Sequence, residues 1–276
     1  MKKYFGTDGI RGRAYEVLTP ELAYQVGLSL QLLGCKEVIV GRDTRESGVM
    51  LAEGIENGAV DAGIDVYQAG VVTTPMLSYL SKRKGTFGVM LSGSHNPYHD
   101  NGIKIFKYGK KLSPEEENVI ELFLNSFGTV NLEEKGKVCA LTDGFEIYKE
   151  LYDKLNVHTN LKIGFDFSNG SACEIGEKII QNLGCYYLTT GNNPDGLNIN
   201  QGCGSMHPHN LVNLVRENGL DLGFTFDGDA DRVLAVSGDG RILDGDYLIY
   251  LYAQYLLEKG CLNGSGVVLT KMSNLG

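Results

Sequence analysis

The sequence predicts an α/β protein with two consecutive domains, each built on a mixed or parallel sheet, followed by the start of a third domain. Short apolar segments typical of buried strands alternate with segments of about 10–17 residues that have helical periodicity. The alternation stops at a polar, glycine-containing stretch, residues 126–142, and then resumes. The length of 276 residues also fits about two domains. We therefore expect domains at residues 1–142 and 143–243, and the start of a third domain at residues 244–276.

Helix and strand signals alternate along the first predicted domain. Thr19 and Thr74 each precede a proline, which is the pattern of a helix N-terminus. Gly34 ends the first helical segment, as glycine often does. The predicted strands are residues 36–41, 64–72 and 86–91, and the predicted helices are residues 20–33, 46–62, 74–84 and one that begins at residue 113.

The same pattern continues in the second half of the chain after a connecting helix at residues 145–155. The predicted strands are residues 161–167, 185–190 and 222–226, the helices are residues 172–183 and 208–218, and a hairpin joins residues 232–236 to 241–243. A helix at residues 246–259 and a strand at residues 266–270 start the third domain. Because a domain does not normally stop after such a strand, we expect the chain to be part of a longer protein.

Composition excludes several classes of function. The net charge is −9, so the chain lacks the basic surface that general nucleic-acid binding or anionic-membrane binding requires. No apolar stretch is long enough for a transmembrane helix, and the first residues do not form a signal peptide. The six cysteines include no CxxC pair, which argues against a thiolate zinc site and favours free thiols in the cytoplasm.

Three aspartates follow the predicted strand at residues 222–226 at alternate positions. Asp227, Asp229 and Asp231 are separated only by small residues, so their carboxylates can converge on one hard cation such as Mg²⁺ or Ca²⁺. A calcium EF-hand is excluded, because Arg232 stands where it needs glycine and the position of its glutamate holds glycine. The alternative is a solvated acidic turn, in which three close carboxylates would repel one another.

A serine within a glycine-containing turn follows the predicted strand at residues 86–91. Ser94 is a candidate phosphoryl-transfer nucleophile, with His95 as a titratable neighbour and Lys104 as a nearby cation. The segment is not a lipase nucleophile elbow, because Ser92 stands where that motif has glycine. The alternatives are a structural serine and a histidine that only donates or accepts hydrogen bonds.

Two further glycine-rich loops contain arginine. Arg11 lies between glycines in residues 6–12, and Arg42 follows a predicted strand, so each is a candidate contact for an anionic substrate. The alternatives are a plain turn for the first loop and pairing of Arg42 and Arg45 with local acids for the second. No P-loop and no GxGxxG motif after a strand is present in the sequence.

Taken together, these motifs resemble the α-D-phosphohexomutase superfamily in type, order and separation. The motifs that match are residues 6–12, 92–97, 101–104 and 227–232. Within the superfamily, the bacterial phosphoglucosamine mutase family is the most similar, on residues 3–12, 194–200 and 203–208. Members have four domains, so the resemblance implies that residues 1–276 lack most of domain 3 and all of domain 4.

The resemblance implies interconversion of glucosamine 6-phosphate and glucosamine 1-phosphate through a phosphoserine and a hexosamine 1,6-bisphosphate. Ser94, Asp227, Asp229 and Asp231 would share one Mg²⁺. The alternatives are phosphomannomutase/phosphoglucomutase activity, or a non-catalytic, Mg²⁺-binding module that is phosphorylated without turnover. We expect the isolated chain to be inactive, and a homodimer is possible.

The resemblance also implies roles for the other candidate residues. Lys104 would be the general base together with Arg11, and His95 would orient the phosphoserine. Arg232 would bind phosphoryl oxygens, and we add Arg42 as a second substrate contact. The expected partner is a small phosphosugar, with no role for nucleic acid or membrane.

Overall fold

Two sheets with helices on their faces confirm the predicted α/β class. The computed structural model describes residues 3–126, 128, 134–154, 157–271 and 273. One sheet has eight strands and the other has five, and both mix parallel with antiparallel pairs. Within these residues, no helix combines the length and the apolar character that crossing a bilayer requires.

The first sheet has the strand order β1-β2-β6-β5-β3-β4-β8, and β7 pairs with β6. Its strands are β1 (Phe5–Gly6), β2 (Gly9–Arg13), β3 (Glu37–Arg42), β4 (Asp65–Val71), β5 (Phe87–Leu91), β6 (Asp100–Lys107), β7 (Lys110–Lys111) and β8 (Val138–Ala140). The helices of this part of the chain are α1 (Pro20–Ser29), α2 (Ser47–Asp61), α3 (Thr74–Lys84) and α4 (Pro114–Ser126). Strands β3, β4, β5 and β8 are parallel, and β6 runs antiparallel to both β5 and β2.

Alternation along the central strands divides the apolar core of the first sheet into two layers. Val38 and Val40 pack on the side of α1, α2 and α4, whereas Ile39 packs with Leu77 and Leu80 of α3 on the other side. Because successive side chains of a strand point to opposite faces, a strand covered on both faces is apolar throughout. This is why the sequence shows β3 and β5 as continuous apolar runs.

The second sheet has the strand order β10-β9-β11-β12-β13. Its strands are β9 (Ile163–Asp166), β10 (Tyr187–Thr190), β11 (Leu222–Phe226), β12 (Val233–Ser237) and β13 (Ile242–Leu243), and the helices are α5 (Gly144–Asp153), α6 (Ala172–Ile180), α7 (His209–Glu217) and α8 (Gly245–Glu258). Helix α7 packs closely on β9 and β11, where a Cβ at Gly223 would lie 2.9 Å from Leu211 Cδ1. The small strand residues therefore let this helix approach the sheet.

The structure corrects the sequence-based expectations at two places. Residues 266–270 pair with no strand in the described part of the chain, so the predicted strand there is wrong; Val268 is 97% exposed. An extended segment becomes a strand only when a neighbour pairs with its backbone. The polar stretch 126–142, of which residues 127 and 129–133 lie outside the described residues, contains β8 at the edge of the first sheet.

The expected division of the chain after residue 142 remains a prediction. Helix α5 follows that point, yet its Tyr148 belongs to the apolar cluster beneath the first sheet, together with Ile175 of α6. The helix therefore contacts elements of both halves. The loops that follow β5 and β11 meet at this junction, where Ser94 contacts Asp227.

Candidate active site

The serine loop, residues 92–97, leaves the carboxyl end of the fully buried strand β5. Ser94 has a φ of 53°, a left-handed conformation that is uncommon for a residue with a side chain. Its side chain is buried, and Oγ donates a hydrogen bond of 2.6 Å to Asp227 Oδ2. The Nδ1 atom of His95 lies 3.4 Å from the same Oγ. The turn thus directs the Ser94 hydroxyl to the second sheet.

Ser92 has a different environment, although it is only two residues away. Its hydroxyl donates to Asp43 Oδ2 at 2.6 Å and accepts the backbone N–H of Ser94 at 2.8 Å. Both hydrogen bonds remain within the first sheet and its loops. Ser92 therefore supports the turn, while Ser94 faces the aspartates.

The metal loop, residues 227–232, leaves the carboxyl end of β11. One carboxylate oxygen from each of Asp227, Asp229 and Asp231 lies within 4.8 Å of the others. Ala230 adopts a left-handed φ of 56°, which turns the chain between the second and third aspartates. Burial raises the pKa of Asp227 to about 6, and the negative charge of Asp229 adds to the effect. Bringing these carboxylates together is therefore costly without a compensating cation.

The side chains of the loop fit a hard cation. Asp229 Oδ1 is buried and has no hydrogen-bond partner among the described residues. The carboxylate oxygens and the neighbouring Ser94 hydroxyl are the hard oxygen donors that Mg²⁺ binds. A buried carboxylate oxygen without a partner is unfavourable. A cation bound at Asp229 Oδ1 would supply the missing partner. The three aspartates can therefore hold a metal ion.

Lys104, on β6, brings a positive charge directly to Asp229 and Asp231 of the metal loop. Its Nζ lies 2.6 Å from Asp229 Oδ2, 3.1 Å from Asp231 Oδ2 and 3.2 Å from Asp8 Oδ2. Burial by itself lowers the pKa of Lys104, but the carboxylates outweigh burial and raise the pKa above its ordinary value. In this arrangement Lys104 is a cation, and the carboxylates oppose the predicted role as general base.

Asp8 joins Lys104 to Arg11. Arg11 Nη2 donates to Asp8 Oδ2 at 2.5 Å, and Arg11 Nε is buried with no partner among the described residues. Burial alone would raise the pKa of Asp8, but hydrogen bonds from Lys111 and Arg11 and the charge of Lys104 bring it below its usual range. The Asp8 carboxylate is thus shared between the two cations at this end of the site.

The remaining predicted residues divide into two groups. Burial and the charges of Arg232 and Arg11 lower the pKa of His95, so its imidazole is neutral at neutral pH. Arg232 Nε lies 4.0 Å from Asp227 Oδ2, and the side chain is half-exposed, so it can meet a ligand from solvent. Arg42 is not brought into this cluster: it lines a separate cavity with Glu53 and Glu56.

Several polar residues that hold the site together have no catalytic or ligand-binding signature in the sequence. The sequence predicts Thr74 only as a helix start, but the residue that caps α3 is Thr73. Thr74 instead donates its hydroxyl to the Asp229 carboxylate, and its N–H to the Asp229 carbonyl oxygen at 3.0 Å. Asn200 occurs in a motif used for the family resemblance, and its side chain contacts the serine loop. The one signal in the sequence is that two threonines precede Pro75. Because Thr73 caps the helix, the hydroxyl of Thr74 is available for another contact.

Two models of successive domains from one family match the chain. The model described as phosphoglucomutase/phosphomannomutase, alpha/beta/alpha domain I, matches residues 2–128, and that of alpha/beta/alpha domain II matches residues 146–240. The chain belongs to the phosphoglucomutase/phosphomannomutase family. Domain I thus contributes the serine loop and Lys104, and domain II contributes the metal loop. The predicted resemblance to phosphohexomutases is confirmed.

Curated relatives and solved structures agree with this assignment. The phosphoglucosamine mutase of Alkaliphilus metalliredigens is 42% identical over all of this chain, which covers 64% of that relative. The phosphoglucosamine mutase of Dictyoglomus thermophilum is 42% identical over all of this chain, which covers 63% of it. The chain therefore spans just under two thirds of the length of these relatives.

Among solved structures, a phosphoglucomutase/phosphomannomutase family protein from Burkholderia thailandensis matches with a TM-score of 0.79 and 26% identity, over 91% of this chain and 58% of that one. The phosphoglucomutase parafusin from Paramecium has a TM-score of 0.72 at 21% identity, over 90% of this chain and 55% of that one. The second match shows that the fold is shared.

Proposed function

We propose that this chain carries the phosphoryl-transfer part of a phosphosugar mutase that interconverts glucosamine 6-phosphate and glucosamine 1-phosphate. The observation that carries the proposal is the 2.6 Å hydrogen bond from Ser94 Oγ to Asp227, which joins a nucleophile of domain I to a cation site of domain II. Phosphoryl transfer depends mainly on positioning and on neutralising charge. A buried serine beside a cation site and two arginines meets both requirements.

In the proposed reaction, Ser94 is phosphorylated in the resting state. Its phosphoryl group passes to the free hydroxyl of a hexosamine monophosphate, so the bond from phosphorus to Ser94 Oγ breaks as a bond to the sugar oxygen forms. The resulting hexosamine 1,6-bisphosphate reorients within the site and transfers its other phosphoryl group to Ser94. One phosphoryl group leaves the serine and one returns, so the net reaction is an isomerisation.

The cation proposed for the site is Mg²⁺, held by Asp227, Asp229, Asp231 and Ser94. Bound there, it supplies a Lewis acid that withdraws charge from the phosphoryl oxygens. Arg232, at the mouth of the site, binds phosphoryl oxygens, and neutral His95 orients the group on Ser94. The hydrogen bond from Ser94 to Asp227 and the 3.4 Å distance from His95 Nδ1 to Ser94 Oγ support these roles.

The proton of the attacking sugar hydroxyl needs an acceptor, and Lys104 with Arg11 remains our predicted base. The ion pairs of Lys104 with Asp229 and Asp231 oppose this role as long as those carboxylates have no other partner. When their charge is shared with a cation, their stabilisation of the Lys104 ammonium weakens. We expect Lys104 to accept a proton only in that state.

Glucosamine phosphates are favoured over the other hexose phosphates by the relatives. The two described above are both named phosphoglucosamine mutase and match the whole chain at 42% identity, so phosphomannomutase/phosphoglucomutase activity is the less favoured alternative. A module that binds Mg²⁺ and is phosphorylated without turnover is the third possibility. The cytoplasmic location and the homodimer remain predictions from the sequence.

A coupled assay for glucosamine 1-phosphate tests the proposal. The protein is supplied with glucosamine 6-phosphate, Mg²⁺ and a catalytic amount of glucosamine 1,6-bisphosphate, and the same assay is run with glucose and mannose 6-phosphates. We expect a full-length protein that carries these domains to turn over the amino sugar, and its Ser94→Ala variant to show no turnover. The isolated chain, as predicted above, should show negligible turnover. Higher turnover with glucose or mannose phosphate would favour the alternative substrate, and phosphorylation without turnover in the full-length protein would favour the non-catalytic module.

A further inference from the structure

Two carbonyl oxygens of the serine loop each accept two side-chain hydrogen bonds, one from each domain. Arg45 Nη2 of domain I donates to the carbonyl oxygens of Ser94 and Asn96, both at 2.8 Å. Asn200 Nδ2 of domain II donates to the same two oxygens, at 2.9 Å and 3.1 Å. The backbone of the nucleophile is therefore held jointly by both domains.

The side chain of Asn200 is well suited to this contact. It is 7% exposed, and both groups that it meets are carbonyl acceptors, so its amide nitrogen uses both hydrogens there. The backbone of Asn200 is itself fixed, since its N–H donates to the carbonyl oxygen of Ser168 at 2.8 Å, just beyond the end of β9. The contact thus joins the second sheet directly to the serine loop.

The Ser94 carbonyl belongs to a residue with a constrained backbone. Ser94 holds a left-handed φ of 53°, which persists only where the surroundings maintain it. A Cβ at Gly228 of the metal loop would lie 2.6 Å from the Ser94 carbonyl oxygen, so the metal loop packs directly against this peptide. A change of the Ser94 backbone away from this conformation would displace its carbonyl oxygen from the Asn200 amide, so the hydrogen bond from Asn200 opposes such a change.

We propose that Asn200 is a positioning residue for phosphoryl transfer: its amide holds the Ser94 peptide in the orientation that directs Oγ to the metal loop. The catalytic part of this inference rests on the function proposed above. The hydrogen bonds themselves do not, so the effect of Asn200 on the order of the loop can be measured separately. Asn200 contacts only the loop backbone and no candidate phosphate-binding side chain in these bonds.

Asn200→Gly is the test variant, and Thr44→Val is its matched control. Asn200 has a φ of 59°, which glycine adopts without strain, so the substitution removes the amide and leaves the backbone favourable. Thr44 Oγ1 donates to the carbonyl oxygen of Asn169 at 2.6 Å, which is also a bond between the two domains, but it does not involve the serine loop. Asn200→Asp is a second variant that keeps the shape and removes the donors.

The first readout is amide hydrogen exchange of residues 93–96 in the protein without substrate. We expect faster exchange of the Ser94 and Asn96 amides in Asn200→Gly and Asn200→Asp, and exchange as in the unsubstituted protein in Thr44→Val. This measurement does not depend on the proposed reaction. Unchanged exchange in both Asn200 variants would overturn the proposal.

The second readout is the rate of Ser94 phosphorylation by glucosamine 1,6-bisphosphate with Mg²⁺. Loss of the amide should lower the maximal rate roughly tenfold, the size expected for one hydrogen bond in the transition state, while the half-saturating concentration stays within about twofold. A fall in Thr44→Val as large as in Asn200→Gly would assign the effect to domain contact in general and overturn the proposal, as would an unchanged rate in Asn200→Gly. If the unsubstituted protein is not phosphorylated at all, the proposed function fails, and hydrogen exchange alone decides whether Asn200 orders the loop.

Discussion

Charge balance at single residues determines what the site can bind. Asp229 is fully buried, yet one of its oxygens has no partner among the described residues, while the other accepts from Lys104 and Thr74. The loop therefore directs one lone carboxylate oxygen inward and neutralises only the other. A bound cation would contact the oxygen of Asp229 that has no other partner.

Replacing Asp229 by asparagine tests that role. Asn keeps the size of the side chain but removes one of three negative charges, so we expect the Mg²⁺ dissociation constant to rise at least about tenfold. Isothermal titration calorimetry with Mg²⁺ measures the change. Asp153→Asn, which removes one charge from an exposed pair with Lys149, is the control and should bind Mg²⁺ unchanged. Equal affinities of Asp229→Asn and the control would contradict the assignment.

The affinity for the cation should also depend on pH. Burial and the neighbouring carboxylate raise the pKa of Asp227 to about 6, and a metal ion competes with the proton for this group. Above about pH 6 the carboxylate is ionised and free to bind, so affinity is highest there. Titrations one pH unit above and one below this value should show weaker Mg²⁺ binding at the lower pH. Affinity that stays constant across this range would show that Asp227 is not a ligand.

At the scale of elements, one glutamate on α4 attaches the N-terminal segment that precedes the Arg11 loop. The carboxylate of Glu121 accepts the backbone N–H groups of Lys3, Tyr4 and Phe5, the last at 3.1 Å. Burial alone would raise the pKa of Glu121, but these hydrogen bonds prevail and lower it below its ordinary value of 4.5. Strand β1 therefore depends on a charged acceptor supplied from elsewhere in the chain.

Glu121→Gln should destabilise the fold by about 1–3 kcal/mol at neutral pH, because one oxygen must replace a carboxylate that accepts several N–H groups. The depressed pKa adds stability that is present above pH 4.5 and lost as the pH falls through the lower value of the folded state. Urea unfolding at several pH values should therefore show a difference that shrinks in acid. Glu174→Gln, in an exposed pair with Lys178, is the control and should change stability by less than about 1 kcal/mol. A difference that does not depend on pH would contradict the role of the charge.

The elements that the sequence predicted well are those whose own residues determine them. Strands such as β3 and β5 are continuous apolar runs, and helices α1 and α3 begin at threonine-proline signals. Gly85 ends α3, and Gly34 ends the 3-10 turn that continues α1. Strand β8 was missed because its three residues are exposed and become a strand only by pairing with β4. Residues 266–270 were wrongly predicted as a strand because they are apolar. No strand in the described part of the chain pairs with them, and an apolar segment without a pairing partner does not form a strand.

For the whole molecule, the meeting of the two loops follows from the fold. Both the serine loop and the metal loop leave the carboxyl ends of strands, where α/β sheets place their ligands, and this much was predictable. The contacts between the domains could not be predicted from the sequence. Thr74 and Asn200 form hydrogen bonds with residues that are 155 and 106 positions away along the chain. No local pattern reports such partners.

Among the α-helices in the described part of the chain, α8 alone has no buried residue. None of its fourteen residues, all of them described, is buried, although most are leucine, isoleucine or tyrosine. Helices gain most of their stability from packing, so we expect the amides of α8 to exchange at least about tenfold faster than those of α2, which has a buried face. Hydrogen exchange with peptide mapping makes the comparison. Equal protection of the two helices would show that α8 is packed in solution.

The central claim is that domains I and II together form one phosphoryl-transfer site with Ser94 as the nucleophile. Peptide-mapped mass spectrometry after incubation with glucosamine 1,6-bisphosphate and Mg²⁺ tests it most directly, with Ser94→Ala and Ser92→Ala measured in parallel. We predict a single phosphoryl group on Ser94, none in Ser94→Ala, and modification still at Ser94 in Ser92→Ala. Phosphate on Ser92, or an unmodified Ser94 in the unsubstituted protein, would contradict the account.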